Sequence, residues 1–260
     1  MSGSANISEG RSIGGGRSEL LASLRRLGLA GPNESPQMVP LKGGVSSDIW
    51  RVDLKTGPVC VKRALARLLV SEKWEAPVER NANEAEWMRV VSKRVHGCTA
   101  RLIAEDRPAG LFVMEYLEPG RYRLWKDCLK SAEADPGFSA KIGSTMARIH
   151  AATAGDEALA HRFGSVEMFY ALRLDPYFVA AARHHPDLAA RLEELVKRTA
   201  DAKIALVHGD VSPKNILVGV SGPVLLDAEC AWYGDPAFDL AFCLCHLLLK
   251  GLCVPSAAPA

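Results

Sequence analysis

The segment His208-Gly209-Asp210-Val211-Ser212-Pro213-Lys214-Asn215 constrains this chain more than any other stretch. A short apolar run, Ile216 to Val218, and a turn separate it from Val224-Leu225-Leu226-Asp227-Ala228-Glu229. Asn215 follows Asp210 by five residues, and Asp227 follows Asn215 by twelve. Apolar runs bounded by turn residues read as short strands. The second would be buried and would deliver Asp227 into a cleft, while Pro213 and the first would hold the loop. An isolated Asp is most often a turn residue or a helix cap. A His-Gly-Asp-x4-Asn loop followed by a strand ending in Asp-x-Glu is much harder to obtain by chance.

Such a set suits phosphoryl transfer, which is mostly positioning and charge neutralisation. Asp210 is the candidate base, taking or orienting the proton of an acceptor hydroxyl. Asn215 offers a neutral amide oxygen and Asp227 a carboxylate, a fitting oxygen pair for Mg²⁺. His208, two residues before the base, reads better as a prop for the loop than as a catalytic group.

The remaining parts of such a site can be sought upstream. Lys62 ends the strand-like run Val59-Cys60-Val61 and could place an ammonium on the phosphates of ATP. It needs a carboxylate to hold it. Glu84, on the next amphipathic stretch, is the best candidate. Glu86 is the fallback; it lies about 200° round the helix from Glu84, so the two cannot both face Lys62. Gly43-Gly44-Val45-Ser46-Ser47 lies between strand-like segments, where backbone N–H groups of Gly43, Gly44, Ser46 and Ser47 could approach phosphates. An ordinary hairpin turn is the competing account, and the stretch is not a Walker loop. Met114-Glu115-Tyr116-Leu117 closes an apolar strand just before Pro119-Gly120, and the backbone of Glu115 and Leu117 would be available to adenine.

Length and charge agree. The 260 residues are 48% hydrophobic, enough for two lobes around a cleft. Lys plus Arg is 32 against 30 for Asp plus Glu, a net charge of +2. That gives no reason to expect nucleic acid or a membrane surface as partner. The seven cysteines contain no Cys-x-x-Cys pair and read mostly as buried thiols, which fits a cytoplasmic setting.

Periodicity gives the outline. Ser18 would cap a helix with Leu20, Leu21, Leu24 and Leu27 on one side. Ile49 to Asp53 and Val59 to Lys62 read as strands around a Lys55–Pro58 turn, 81–91 as a helix, and 111–117 as a strand. Downstream, Ser139 would cap one helix. Pro186-Asp187 would open a second, with Leu188, Leu192, Leu195 and Val196 inward. Asp239 would cap a third, a buried helix that Gly251 ends. The expectation is an α+β, bilobal chain. It comprises a disordered tail (1–17), a β-rich N-lobe with one key helix (18–117), a mainly helical C-lobe (118–252) and a second disordered tail (253–260).

Together these residues resemble the aminoglycoside phosphotransferase and choline kinase-like group, the small-molecule branch of the protein kinase-like fold. The resemblance runs from about Val39 to Leu249. It rests most on the His208–Asn215 loop, on Leu226-Asp227-Ala228-Glu229, and on Gly234-Asp235-Pro236-Ala237-Phe238-Asp239-Leu240. It implies ATP (sometimes GTP), Mg²⁺, and transfer of the γ-phosphate to a hydroxyl. It also implies that Asp239 supports the catalytic loop without touching substrate. His-Gly-Asp in place of His-Arg-Asp, without Asp-Phe-Gly or Ala-Pro-Glu, argues against a protein kinase. Two departures stand out. Ala228 occupies a position often aromatic in the group, and just 21 residues follow Asp239, so the acceptor pocket is expected to be reduced. The leading expectation is an ATP-dependent kinase of a small hydroxylated metabolite or antibiotic. The alternative is an inactive nucleotide-binding module. Glu167, Asp175, Glu193 and Glu194 are mixed with Arg173, Arg183, His184 and His185, which does not favour a polycationic acceptor.

Overall fold

The computed structural model describes residues 13–41, 47–64 and 80–253. Gly43, Gly44 and Ser46 of the expected phosphate turn, and 254–260 of the second tail, lie outside the described residues.

The N-lobe is one antiparallel sheet built from β1 (Gln37–Pro40), β2 (Ser47–Leu54), β3 (Gly57–Ala64), β4 (Leu102–Asp106) and β5 (Leu111–Glu115), in the order β1-β2-β3-β5-β4. β2 and β3 form a hairpin through Lys55-Thr56, with Leu54 opposite Gly57. Alternation sorts the two faces. Trp50, Val52, Val59, Val61, Leu111 and Val113 pack with Leu20 and Leu24 of α1 (Ile13–Arg26). Phe112 points the other way, onto Trp87, Met88 and Val91 of α2 (Arg80–Arg94). β5 is therefore covered on both sides, which accounts for its unbroken apolar run. The same alternation turns Lys62 away from Val61 and toward α2.

The C-lobe contains α3 (Trp125–Lys130), α4 (Pro136–Thr153), α5 (Glu157–Arg162) and α6 (Glu167–Phe169). α6 widens into a π-helix over Tyr170–Val179, followed by α7 (Ala180–His184), α8 (Ala189–Asp201) and α9 (Ala237–Cys253). Its strands are short: β6 (Arg123–Leu124) joins the β8 (Ile216–Gly219)–β9 (Gly222–Leu225) hairpin, and β7 (Ala205–Val207) pairs with β10 (Trp232–Gly234). The lobes are stitched where Thr99 bridges Leu225 and Leu225 N donates to Cys98 O at 2.8 Å.

Several expectations are corrected. α1 starts at Ile13, so residues 13–17 are helical and Ser18 is interior to the helix. Arg17 reaches Met38 O at 2.6 Å, and the burial of Leu20 and Leu24 holds the helix in spite of its three glycines. α4 is capped by Asp135, which accepts from Gly137 N at 2.8 Å ahead of Pro136, and not by Ser139. Leu188 precedes α8 and is 43% exposed; Val196 is the buried apolar residue of that helix. Gly251 lies inside α9. α9 is also less buried than its sequence suggests, since Leu240, Leu244, Leu248, Leu249 and Leu252 are exposed. β4, β6, β10 and the π-helix have no counterpart in the sequence reading. Among the described residues no helix is long and apolar enough to cross a membrane.

Candidate active site

The β8–β9 hairpin explains the Asn215–Asp227 spacing. Asn215 precedes β8 and Asp227 follows β9, so antiparallel pairing brings both to one end, where Leu226 N donates to Asn215 O at 2.9 Å. Asp227 adopts a left-handed backbone, φ 67°, a region that Asp tolerates better than most residues. The turn aims its carboxylate at the N-lobe.

There it meets Lys62. The ammonium lies 2.5 Å from Asp227 Oδ1 and 2.6 Å from Glu84 Oε2, with Lys62 and Glu84 almost wholly buried. Glu84 is thus the partner of Lys62; Glu86 instead pairs with Arg162 at 2.6 Å and with Arg89. Burial pushes the Glu84 carboxyl up to about 7 against the pull of Lys62. Burial also acts against the Asp227 carboxylate, but the Lys62 charge outweighs it and holds the group down at about 2. Lys62 stays protonated well above its ordinary range, because Asp227 and Glu84 overcome the cost of burying the cation. α2 contributes more than Glu84. Asn81 Nδ2 donates to Lys62 O (3.1 Å) and Gly110 O (2.8 Å), Asn83 Nδ2 donates to Glu229 O (3.1 Å) and Ala231 O (2.7 Å), and Arg80 lies 3.2 Å from Glu229. One helix therefore holds both the lysine strand and the segment after Asp227.

The loop around Asp210 hangs from Asp239. This fully buried carboxylate accepts from His208 N at 2.9 Å and Gly209 N at 2.8 Å, and His150 Nε2 lies 3.0 Å away. The sequence reading expected Asp239 to cap α9; it lies instead inside the first turn of that helix, with its carboxylate turned to the loop. Gly209 has φ 78°, and a Cβ there would stand 2.6 Å from Cys230 O, so only glycine fits. His208 is buried edge-on to Trp87 and accepts from Asp210 N through Nδ1 at 3.2 Å, a bracing arrangement. Burial lowers its pKa and keeps it neutral.

Asp210 is buried, yet its Oδ2 receives two cations, Arg173 Nη2 at 2.8 Å and Lys214 Nζ at 2.9 Å. Burial works against both cations, but nearby anions, Asp210 among them, raise their pKa values. Asn215 Nδ2 donates to Asp210 O at 3.1 Å, which leaves Asn215 Oδ1 outside the described hydrogen bonds. Glu115 N is spent on Arg101 O at 3.0 Å, whereas Leu117 N takes part in none of the described backbone hydrogen bonds. Ser47 starts β2 and is buried opposite Ala64.

The structure therefore brings Lys62, Glu84 and Asp227 into direct contact, and Asp210 with Asn215. Sequence reasoning missed Arg173, Lys214, His150, Asn81, Asn83 and Arg80 as members of the site. One signal was available for Arg173, a lone cation inside Ala171-Leu172-Arg173-Leu174.

A family model described as APH, phosphotransferase enzyme family, matches residues 37–253. The chain belongs to this family. A methylthioribose kinase of Pectobacterium carotovorum subsp. carotovorum is 26% identical over 247 residues, which cover 82% of this chain and 61% of that protein. The APH-family chain thus spans about three-fifths of the length of that curated relative. A choline/ethanolamine kinase family protein from Mesorhizobium loti superposes with a TM-score of 0.54 at 14% identity, covering 92% of this chain and 76% of that one. LicA in complex with AMP gives 0.53 at 14% identity, covering 96% and 81%. These structural likenesses establish the bilobal, protein kinase-like fold of this family member.

Proposed function

We propose that this APH-family chain transfers the γ-phosphate of ATP to a hydroxyl of a small molecule. The observation that carries the reading is Lys62 held between Glu84 and Asp227, at the mouth of a loop that presents Asp210 and Asn215. Phosphoryl transfer asks for a cation on the nucleotide phosphates, oxygen ligands for a divalent metal, and a carboxylate for the incoming hydroxyl. Lys62 would bind the α- and β-phosphates, with Glu84 fixing its direction. The backbone of Glu115 and Leu117 would face adenine, and Gly43, Gly44, Ser46 and Ser47 would approach the phosphates. Asp210, anchored by Arg173, would orient the acceptor hydroxyl and take up its proton.

The donor set fits Mg²⁺. Asp227 stays ionised, Asn215 has a carbonyl oxygen to spare, and among the described residues no three His, Cys, Asp or Glu side chains form an all-protein cage. Mg²⁺ is ordinarily held by one or two carboxylates plus substrate phosphates. When bound, it would neutralise charge on the transferring group.

The cations around Asp210 disfavour a polycationic acceptor and favour a hydroxylated metabolite without several amines. Turnover with ATP, Mg²⁺ and a panel of hydroxylated acceptors tests the reading, and Asp210→Asn should lower kcat by at least 100-fold. Turnover unaffected by that change would overturn the assignment. Asp227→Asn should remove Mg²⁺-dependent nucleotide binding, read by calorimetry.

A further inference from the structure

The two cations on Asp210 Oδ2 are not equivalent. Arg173 is buried; its Nε also donates to Gly209 O at 2.6 Å and its Nη1 to Leu172 O at 2.7 Å, and its Cζ lies 5.5 Å from the centre of the Phe242 ring. It is fixed in place and by itself compensates the buried Asp210 charge. Lys214 has a side chain 51% exposed, on a flexible four-carbon stem, and Asp210 Oδ2 is the acceptor its ammonium has among the described residues. A second cation is surplus to holding the carboxylate. It also crowds the one carboxylate oxygen that Arg173 already holds, leaving less room for an acceptor hydroxyl.

That crowding disappears if the ammonium has somewhere else to go. Lys214 directly precedes Asn215, on the loop that faces Asp227. An incoming phosphate is the anion best able to draw a half-exposed lysine away, because its oxygens are charged and accept several hydrogen bonds. Building on the kinase reading above, we propose that Lys214 is a phosphate-binding residue. Its ammonium rests on Asp210 in the free protein and moves onto the terminal phosphoryl group of the bound nucleotide, which frees Asp210 for the acceptor hydroxyl.

Calorimetry tests this without knowledge of the acceptor. Affinities for ADP and for a non-hydrolysable ATP analogue, both with Mg²⁺, are compared in the wild type, Lys214→Met, Lys214→Gln and Lys214→Arg. A charge-assisted contact to the terminal phosphate predicts roughly 10-fold weaker binding of the triphosphate in the Met and Gln variants. ADP affinity should stay within about twofold and serve as the control that each variant is folded. Arg should retain most of the triphosphate preference. Equal losses for both nucleotides, or no loss for either, would overturn the proposal while leaving the kinase reading intact. A wild-type protein that binds neither nucleotide would defeat the kinase reading and this proposal with it.

Discussion

The Arg173 guanidinium lies 2.8 Å from the Asp210 carboxylate, although the two residues come from separate parts of the C-lobe. The pair joins the π-helix to the loop around Asp210. π-helical turns are rare and concentrate at functional sites. Here the widened turn carries the buried cation that the loop requires.

Replacing Arg173 by Met should leave Asp210 buried with just the half-exposed Lys214 beside it. Loss of a buried ion-pair partner is strongly destabilising; with Lys214 still present, about 2–3 kcal/mol is expected, read by urea denaturation. In an Asp210→Asn background the same change should cost far less. Additive effects of the two substitutions would show that the pair carries no coupling.

Asp239→Asn tests the suspension of the loop. An amide offers one acceptor oxygen where the carboxylate offers two, and its NH₂ would then face a backbone N–H. A loss of about 2 kcal/mol is expected, a fall in Tm of roughly 4–8 °C for a chain of this size. Turnover should fall through kcat more than through the KM for ATP.

Acidity should act on stability with opposite signs at two carboxylates. Glu84 is raised from 4.5 to about 7, so between those values the folded chain holds a proton that the unfolded chain has released. Stability from this group falls as pH rises through that window. Asp227 is lowered from 3.8 to about 2, so its stabilisation is present above 3.8 and is lost as pH falls toward 2. Glu84→Gln should flatten the neutral limb of a stability–pH curve, and Asp227→Asn the acidic limb. Unchanged limbs in both variants would refute the assignment. The charge that holds Lys62 is gained over the range in which Glu84 costs stability.

Two glycines with similar backbones should respond differently to Ala. Gly110 has φ 61° and nothing within 4 Å of an added Cβ, so the cost should be the backbone term alone, about 1 kcal/mol. Gly209 has φ 78° and Cys230 O at 2.6 Å, so Gly209→Ala should cost several times more and displace the loop beneath Asp210. Equal losses in denaturation midpoints would contradict the packing around Gly209.

Much of this site can be read from the sequence because its parts lie on elements with clear local signals. Lys62 and Glu84 follow from strand alternation and helical spacing, and Asn215 with Asp227 from two apolar runs around a turn. Arg173 does not, because its partners are 36 and 37 residues away and no local period marks the contact. The π-helix is invisible to a 3.6-residue pattern for the same reason. The exposed leucines of α9 misled in the other direction, since an apolar run reports a tendency to be covered, not that a cover is present.

The bridge between Thr99 and Leu225, with the hydrogen bond from Leu225 N to Cys98 O, would serve as a fulcrum if the lobes rocked. A point beside a fulcrum travels little when the arms swing. Asp227, two residues beyond it, would keep its place relative to Asn215 during any rocking of the lobes.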